Sequence, residues 1–445
     1  MFSLGEMAGI VGATAPADDD RPGRIVHDSR LIEKGDLFVA LRGAKTDGHA
    51  FLDEAFRRGA CGAIVAEGTQ PSRTARGLVV VMDPLAALQR LASAWRDRLS
   101  ATIIGITGSN GKTTTRSLLA HLLGAQRSVH QPPENYNTEI GLPLALLAMP
   151  ATCKIGVFEL GTQAPGEIAL LASVLRPTIG IVTDVGPSHL AGLESLDAVA
   201  EEKWSLIEAI PDSGLAFIHA DSPHLSKRAE RAHCQLCSVG LTNGSFRGRV
   251  VASVPRLVVQ VAEPQLRLET KLVGYHNAGN ALLAAACAAR LGLPGDVLEE
   301  AMRGFEPPAH RLRPLEAPFG TVLDDTYNAN PASMEGALRV LSEYGSPKAH
   351  RVFVFGDMLD LGEASERLHR EIVERALSFG IDQIIPIGER ATAACGNRSA
   401  NRLLPADHCA QAAELRKQLS ARENVVLVKG SRDLGLEKLV DELLQ

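Results

Sequence analysis

Apolar residues along this chain gather into two kinds of pattern. Short unbroken runs, "ATIIGIT" (101–107), "KIGVFEL" (154–160), "TIGIVTDV" (178–185) and "GLAFIHA" (214–220), are bounded by glycine or polar residues. Such runs suit strands buried on both faces of a largely parallel sheet, and the stretches between them read as helices. Residues 250–274 alternate apolar and polar, as antiparallel strands do, and "HNAGNALLAAACAARLG" reads as a helix ending at Gly292. Ahead of this block, strands at Leu37–Leu41 and Ala63–Ala66 flank a helical stretch over 49–59, a small α/β unit. "DPLAALQRLASAWRDRL" spaces Leu85, Leu88, Leu91 and Trp95 as the buried stripe of a connecting helix. Prolines in "FEPPAHRLRPLEAPFG" mark a boundary near residue 312. Beyond it "TVLDDTY", "RVFVFGD", "QIIPIGE" and "NVVLVKGS" each precede a helical segment, a smaller α/β unit of the dinucleotide-fold type.

The expected fold class is therefore α/β in three domains. A small N-terminal α/β domain (1–84) precedes a central parallel-sheet domain of the P-loop ATPase type (85–311) and a C-terminal Rossmann-like domain (312–445). A length of 445 residues supports that count, since one core does not grow that large. Composition narrows the partners. Aromatics are 4%, too few for a surface that stacks bases, and a net charge of −6 provides no field for a polyanion, so nucleic acid is not expected. No run reaches the length of a membrane span, and the N-terminus lacks the pattern of a secretory signal; a cytoplasmic monomer is expected. Seven scattered cysteines read as reduced thiols. Cys234 and Cys237 form a CxxC beside His233, but no second ligand pair stands at a zinc-site spacing.

The chemistry begins at Gly108-Ser109-Asn110-Gly111-Lys112-Thr113, followed by Thr114, between a strand and a helix. Glycines let the backbone approach a polyphosphate while the helix N-terminus supplies positive potential. Lys112 would reach the β- and γ-phosphates, and the Thr113 hydroxyl would ligate Mg²⁺. The loop is shorter than the common P-loop, which would place a glycine at Ile106. Glu159 closes a strand at the crevice edge, where it either holds that Mg²⁺ or caps a helix. His189 and Lys203 follow another strand; by themselves they read as a structural histidine and a solvated lysine. His276, Asn277 and Asn280 stand at a helix start, with the two amides one turn apart, for a helix cap or for an adenine edge. "LDDTYNANPASMEGAL" crowds Asp324, Asp325, Tyr327, Asn328 and Asn330 at a strand end. "FGDMLDLGEASERLH" and "VKGSRD" are two further strand-end loops suited to an anionic or zwitterionic small molecule between domains.

The order "GITGSNGKTT", "ENYNTEIGLP", "FELGTQAPGEI", "GPSHLAGLESLDAVAEEK", "GYHNAGNALLA", "HRLRPLE", "DDTYNANPASM", "FGDMLDLGE" and "LVKGSR" resembles the Mur ligases of bacterial cell-wall synthesis over nearly the whole chain. The shortened phosphate loop is that family's form. The resemblance implies an N-terminal domain for a UDP-sugar, a central ATP-binding domain and a C-terminal domain for the incoming amine. Within the family, "YNANP" with "GDMLDLG" implies UDP-MurNAc-tripeptide and D-alanyl-D-alanine as substrates, ATP as the energy source and two Mg²⁺ ions. It matches Lys112, Glu159, His189, Lys203 and Arg311 to catalytic positions. Thr113, Glu159, His189 and a carbamylated Lys203 would serve the metals. Gly108 to Thr114, His276, Asn277, Asn280, Arg311 and Asp325 would hold ATP. Asn135, Asn137 and Thr138 match the muramoyl loop, and Ser29, Arg30 and the turn from Thr46 to His49 match uridine contacts. Tyr327 and Asn328 are expected at the substrate cleft. Gln163 stands where relatives usually have Asn, and Trp204-Ser205 where they often have a small residue and then Glu. Sister amide ligases, among them folylpolyglutamate synthases, and a non-ligase nucleotide switch are the rival readings. The first domain disfavours the folate enzymes, and amide product formation would separate out the switch.

Overall fold

The structure, a computed structural model, describes residues 1–43, 46–70, 75–187, 190–193, 195–396, 408–419 and 423–445. Three sheets organise them. The first has four parallel strands in sequential order, Ile25–Val26, Leu37–Val39, Gly62–Ala66 and Leu78–Val81. The second has nine strands, and the runs foreseen as buried parallel strands form its middle. There Thr102–Thr107 pairs with Ile155–Glu159 on one side and with Ile179–Val182 on the other. Leu215–His219 follows in parallel, and Phe246–Ala252, Leu257–Val261 and Leu266–Thr270 close the sheet as an antiparallel ribbon. The third has five strands; Arg313–Ala317 runs antiparallel to Gly320–Asp325, and the other three are parallel.

The connecting helix, Pro84–Arg98, starts at an Asp83 cap with proline in its first turn, the preferred chemistry for a helix start. Leu88, Leu91 and Trp95 are buried as the spacing predicts, while Leu85 is half-buried. Trp95 packs edge-on against Phe2 at 5.5 Å and donates its Nε1 hydrogen to Met149 O at 3.0 Å. One apolar cluster therefore runs from the first sheet through this helix to a face of the central sheet. An N-terminal helix, Leu4–Val11, also packs there; the sequence reading passed over it, although Ser3 and Glu6 form a complete capping box.

Cys234 and Cys237 cannot act together. Around the strand Gln235–Gly240 they lie three residues apart, so they fall on opposite faces of the sheet and join different apolar clusters. His233 hydrogen-bonds Ile210 O at 2.8 Å. The six cysteines whose side chains are described are all free. Among the described residues, no helix is long and apolar enough to cross a membrane.

Candidate active site

The strand Thr102–Thr107 lies inside the central sheet, so its carboxyl end opens in mid-edge, where α/β sheets bind ligands. The turn that follows has glycine at two positions for steric reasons. Gly108 and Gly111 have φ of 151° and 81°. A Cβ would stand 1.9 Å from Thr183 Oγ1 at the first and 2.1 Å from Asn280 Oδ1 at the second. The rest of the loop is pinned from the neighbouring strand end. Ser109 N donates to Asp184 O at 2.9 Å, Ser109 Oγ to Gly186 O at 2.9 Å, and Thr183 Oγ1 to Asn110 O at 2.6 Å. No side chain caps the helix Lys112–Gly124, which leaves its positive end open to an anion.

Lys112 curls back over the loop and donates to Gly108 O at 2.6 Å. Desolvation lowers its pKa and Arg311 pushes the same way, while Glu159 opposes them. Thr113 Oγ1 donates to Glu159 Oε2 at 3.2 Å and accepts from Arg311 Nη2 at 2.8 Å. The other Glu159 oxygen lies 2.8 Å from Arg116 Nε, with both side chains buried. This contact balances charge without directed hydrogen bonding, since Arg116 Nε and Glu159 Oε1 are both buried and unbonded. A threonine hydroxyl beside an under-coordinated carboxylate is a hard-oxygen donor pair, and it fits Mg²⁺.

Lys203 sits on the helix Leu196–Glu208, 1% exposed and without a hydrogen bond among the described residues. Burial foremost, then the Lys112 charge, brings its pKa down to about 7, against the opposing pull of Glu202 and Asp184. Trp204 turns the other way into an apolar cluster, and Ser205 Oγ bonds Glu202 O, so neither touches the Lys203 amine. Lys203 is thus a buried amine and not the solvated side chain that its mixed-charge helix suggested. His189 lies outside the described residues.

These groups face one cavity of about 740 Å³. Asn135, Asn137 and Thr138 line one wall, and Gln163 with Glu167 another. His276, Asn277 and Asn280 line a third. No side chain caps that helix, so the capping reading fails there. Instead Asn280 Nδ2 donates to Asn277 Oδ1 at 2.9 Å while Thr115 Oγ1 donates to Asn280 Oδ1 at 3.3 Å, which ties this helix to the phosphate-loop helix.

The third domain and its junction with the central one supply the far wall. Arg311 stands between His310 and Leu312, both left-handed at φ 62° and 53°, a kink that aims its guanidinium inward. It stacks 3.8 Å over the Tyr327 ring, and the Tyr327 hydroxyl donates to Asn135 Oδ1. Asp325 pairs with the buried Lys429 at 2.6 Å, and Lys429 also donates to Asn328 O at 2.9 Å. By contrast Asp357 of "FGDMLDLG" caps the helix Glu389–Cys395, with its Oδ1 accepting from Ala391 N at 2.7 Å. That loop does not line the cavity.

Ser29, Arg30 and Thr46 stand apart from the cavity, in the first domain. Ser29 Oγ donates to Glu54 at 3.1 Å, Arg30 pairs with Asp28 at 2.7 Å, and Thr46 O accepts from Gly43 N at 2.9 Å. Sequence reasoning missed Arg116 and Glu202, and it placed Lys429 only as part of the "VKGSRD" loop, without its pairing to Asp325. Arg116 is one turn beyond Lys112 on an otherwise buried helix face, a position where a cation implies a partner. Glu202 accepts from Gly166 N and Ile168 N, each at 2.7 Å, and so clamps the Gly161–Glu167 loop; no local pattern marks it.

Comparison with known proteins agrees with this arrangement. Three family models match successive parts of the chain: "Mur ligase family, catalytic domain" over 24–96, "Mur ligase middle domain" over 106–288 and "Mur ligase, glutamate ligase domain" over 310–432. A Synechocystis relative, UDP-N-acetylmuramoyl-tripeptide–D-alanyl-D-alanine ligase, is 32% identical across 98% of this chain and 95% of its own. The MurF crystal structure from Acinetobacter baumannii superposes with a TM-score of 0.89 at 25% identity, covering 100% and 98% of the two chains. MurF ligase from Thermotoga maritima, solved in complex with ADP, gives 0.83 at 27% identity over 94% and 96%. By sequence, fold and the groups gathered in its cavity, the chain belongs to the Mur ligase family.

Proposed function

We propose that this protein joins D-alanyl-D-alanine to UDP-N-acetylmuramoyl-tripeptide at the expense of ATP. The products are the UDP-MurNAc-pentapeptide, ADP and phosphate. One observation supports this above the others: a phosphate loop, a buried carboxylate, a buried amine and an arginine at the junction with the third domain converge on a single cavity. The similarity to UDP-N-acetylmuramoyl-tripeptide–D-alanyl-D-alanine ligases over 98% of the chain supports these substrate identities.

A carboxylate does not react with an amine near pH 7 and must first be activated. The terminal carboxylate of the tripeptide attacks the γ-phosphorus; the bond to ADP breaks and an acyl phosphate forms. Lys112 and Arg311 offset the charge that develops on the transferring group. The dipeptide amine then attacks the acyl carbon, loses a proton and displaces phosphate. Thr113 and Glu159 would hold Mg²⁺, with His189 and Lys203 proposed for a second ion; the metals supply charge neutralisation at the phosphates. An amine with a pKa of about 7 is about half unprotonated at neutral pH, and the unprotonated form is the one that adds CO₂, so a carbamate at Lys203 is proposed.

Gly108 to Thr114 are proposed to hold the phosphates, with His276, Asn277, Asn280 and Asp325 at the nucleoside. Asn135, Asn137, Thr138, Tyr327 and Asn328 are proposed at the peptide substrates, and Ser29, Arg30 and Thr46 at the uridine end. A monomer is proposed as the working unit. Use of ATP supports a cytoplasmic site. The test is a mass-spectrometric assay with ATP, Mg²⁺, D-alanyl-D-alanine and tripeptides ending in diaminopimelate or in lysine. Pentapeptide formation that is lost in Lys112→Ala is expected. No product with either tripeptide, from protein that binds ATP, would overturn the reading.

A further inference from the structure

We infer that Asn330 is a positioning residue that couples the phosphate loop to the acceptor side of the cavity. The inference rests on the ligase reading above and adds to it a residue with a defined role. Asn330 opens the helix Pro331–Glu343, and its carboxamide does two things at once. Its Oδ1 accepts from Ser333 N at 2.9 Å, which caps the helix. Its Nδ2 crosses to the central domain and donates to Asn110 Oδ1 at 2.8 Å.

Asn110 is the tip of the phosphate loop, and its backbone is already fixed by Thr183. Its side chain is therefore free to reach the third domain, beside the contact that the Thr113 hydroxyl makes with Arg311. On the other side the helix is not free to move alone, since Met334, Ala337, Leu338 and Leu341 are buried in the third-domain core. A hydrogen bond at its cap thus sets the position of the whole element. Asn328, Ala332 and Ser333, beside the cap, line the same cavity. The bond costs Asn330 nothing in capping, because the two roles use different atoms of one amide. An occupied phosphate loop that holds Asn110 in place thereby holds the acceptor wall in register with the acyl group.

Serine caps a helix about as well as asparagine but is too short, and lacks the N–H, to reach Asn110. Asn330→Ser therefore separates the two roles, and Asn330→Ala removes both. Two rates are measured on the full-length protein with ATP and UDP-MurNAc-tripeptide: pentapeptide formation with D-alanyl-D-alanine, and hydroxamate formation with hydroxylamine, a small nucleophile that traps the acyl phosphate without a dipeptide site. For Asn330→Ser we expect kcat/KM for the dipeptide to fall about fivefold, the effect of one net hydrogen bond. Hydroxamate formation should fall less than about twofold, and the melting temperature should stay near wild type; Asn330→Ala should melt lower. Wild-type dipeptide kinetics in Asn330→Ser would overturn the inference. So would equal losses in both rates, which would place the residue in nucleotide binding. Wild-type protein that forms neither product would instead remove the ligase reading itself.

Discussion

At the scale of single residues, burial and charge decide the roles. Lys112 bonds its own loop and stands near Glu159 and Arg311, so its cation is placed where phosphoryl charge would develop. Lys112→Ala should lower kcat by roughly 100-fold or more, read in the ligation assay, while a change below tenfold would remove it from the transferring group. Lys203 makes a signed prediction about pH. Its folded pKa of about 7 lies below the ordinary lysine value. Below pH 7 the amine is protonated in both folded and unfolded chains, and the folded state bears the cost of a buried charge. As pH rises from 7 towards about 10.4, the unfolded chain still binds the proton and the folded one does not, so stability increases. In CO₂-free buffer, urea unfolding from pH 6 to 9 should show wild type gaining about 1–3 kcal/mol relative to Lys203→Met. A pH-independent difference between the two would show that Lys203 is not held neutral.

At the scale of elements, the phosphate loop works because two glycines leave room for their neighbours. Gly111→Ala sets a methyl group 2.1 Å from Asn280 Oδ1, and so against the helix Asn277–Arg290. Nucleotide affinity by calorimetry should drop at least about tenfold, since either the loop or Asn280 must move out of place. Unchanged affinity would mean that the loop geometry described here is not the binding form. Glu202 is the comparable device on the opposite wall. A single buried carboxylate satisfies two N–H groups at the start of the helix Glu167–Leu175 and accepts from the Thr162 hydroxyl at 3.3 Å. Glu202→Ala leaves those donors unpaired and should cost ~2–4 kcal/mol by chemical denaturation. It should also raise KM for the muramoyl substrate more than KM for ATP, because the loop it holds lines the cavity away from the phosphate loop.

At the scale of the molecule, the first and central domains share a broad apolar cluster, whereas the third joins the central one through Val254 and Val273 alone among the described apolar residues of its cluster and meets the cavity through polar contacts. Arg311 with Thr113, Tyr327 with Asn135 and Asn330 with Asn110 are all hydrogen bonds across that junction. Contacts of this kind form and break at little net cost, so the third domain can open for substrates and close for reaction. An ATP analogue that binds between them should favour the closed, folded state. At 100 times its Kd, ~2.7 kcal/mol of stabilisation is expected for wild type, read as a rise in melting temperature, and little in Lys112→Ala. An equal rise in both proteins would detach Lys112 from nucleotide binding.

Much of this protein was determined by its sequence alone. Continuous apolar runs specify strands buried on both faces whatever lies around them, and alternation over residues 250–274 marks antiparallel strands, so the central strands and most of the ribbon were legible. The phosphate loop was legible for the same local reason, because strand, glycines, lysine and helix follow one another along the chain. Only the tertiary structure decided the rest. Lys203 stands on a helix of mixed charge, and its isolation follows from what packs over it, which no window of sequence contains. The carboxylates of Glu202 and Asp357 are indistinguishable by pattern from solvated ones. Their partners at Gly166, Ile168 and Ala391 lie 34 to 36 residues away and meet them only when helices and loops dock. The partners of Arg116 and Lys429 were likewise hidden, since a buried cation is identified by the acid it faces, Glu159 or Asp325, and that acid is brought to it by the pairing of strands. Patterns along the chain record which face of an element is apolar; which polar groups meet is set by the register in which the elements pack.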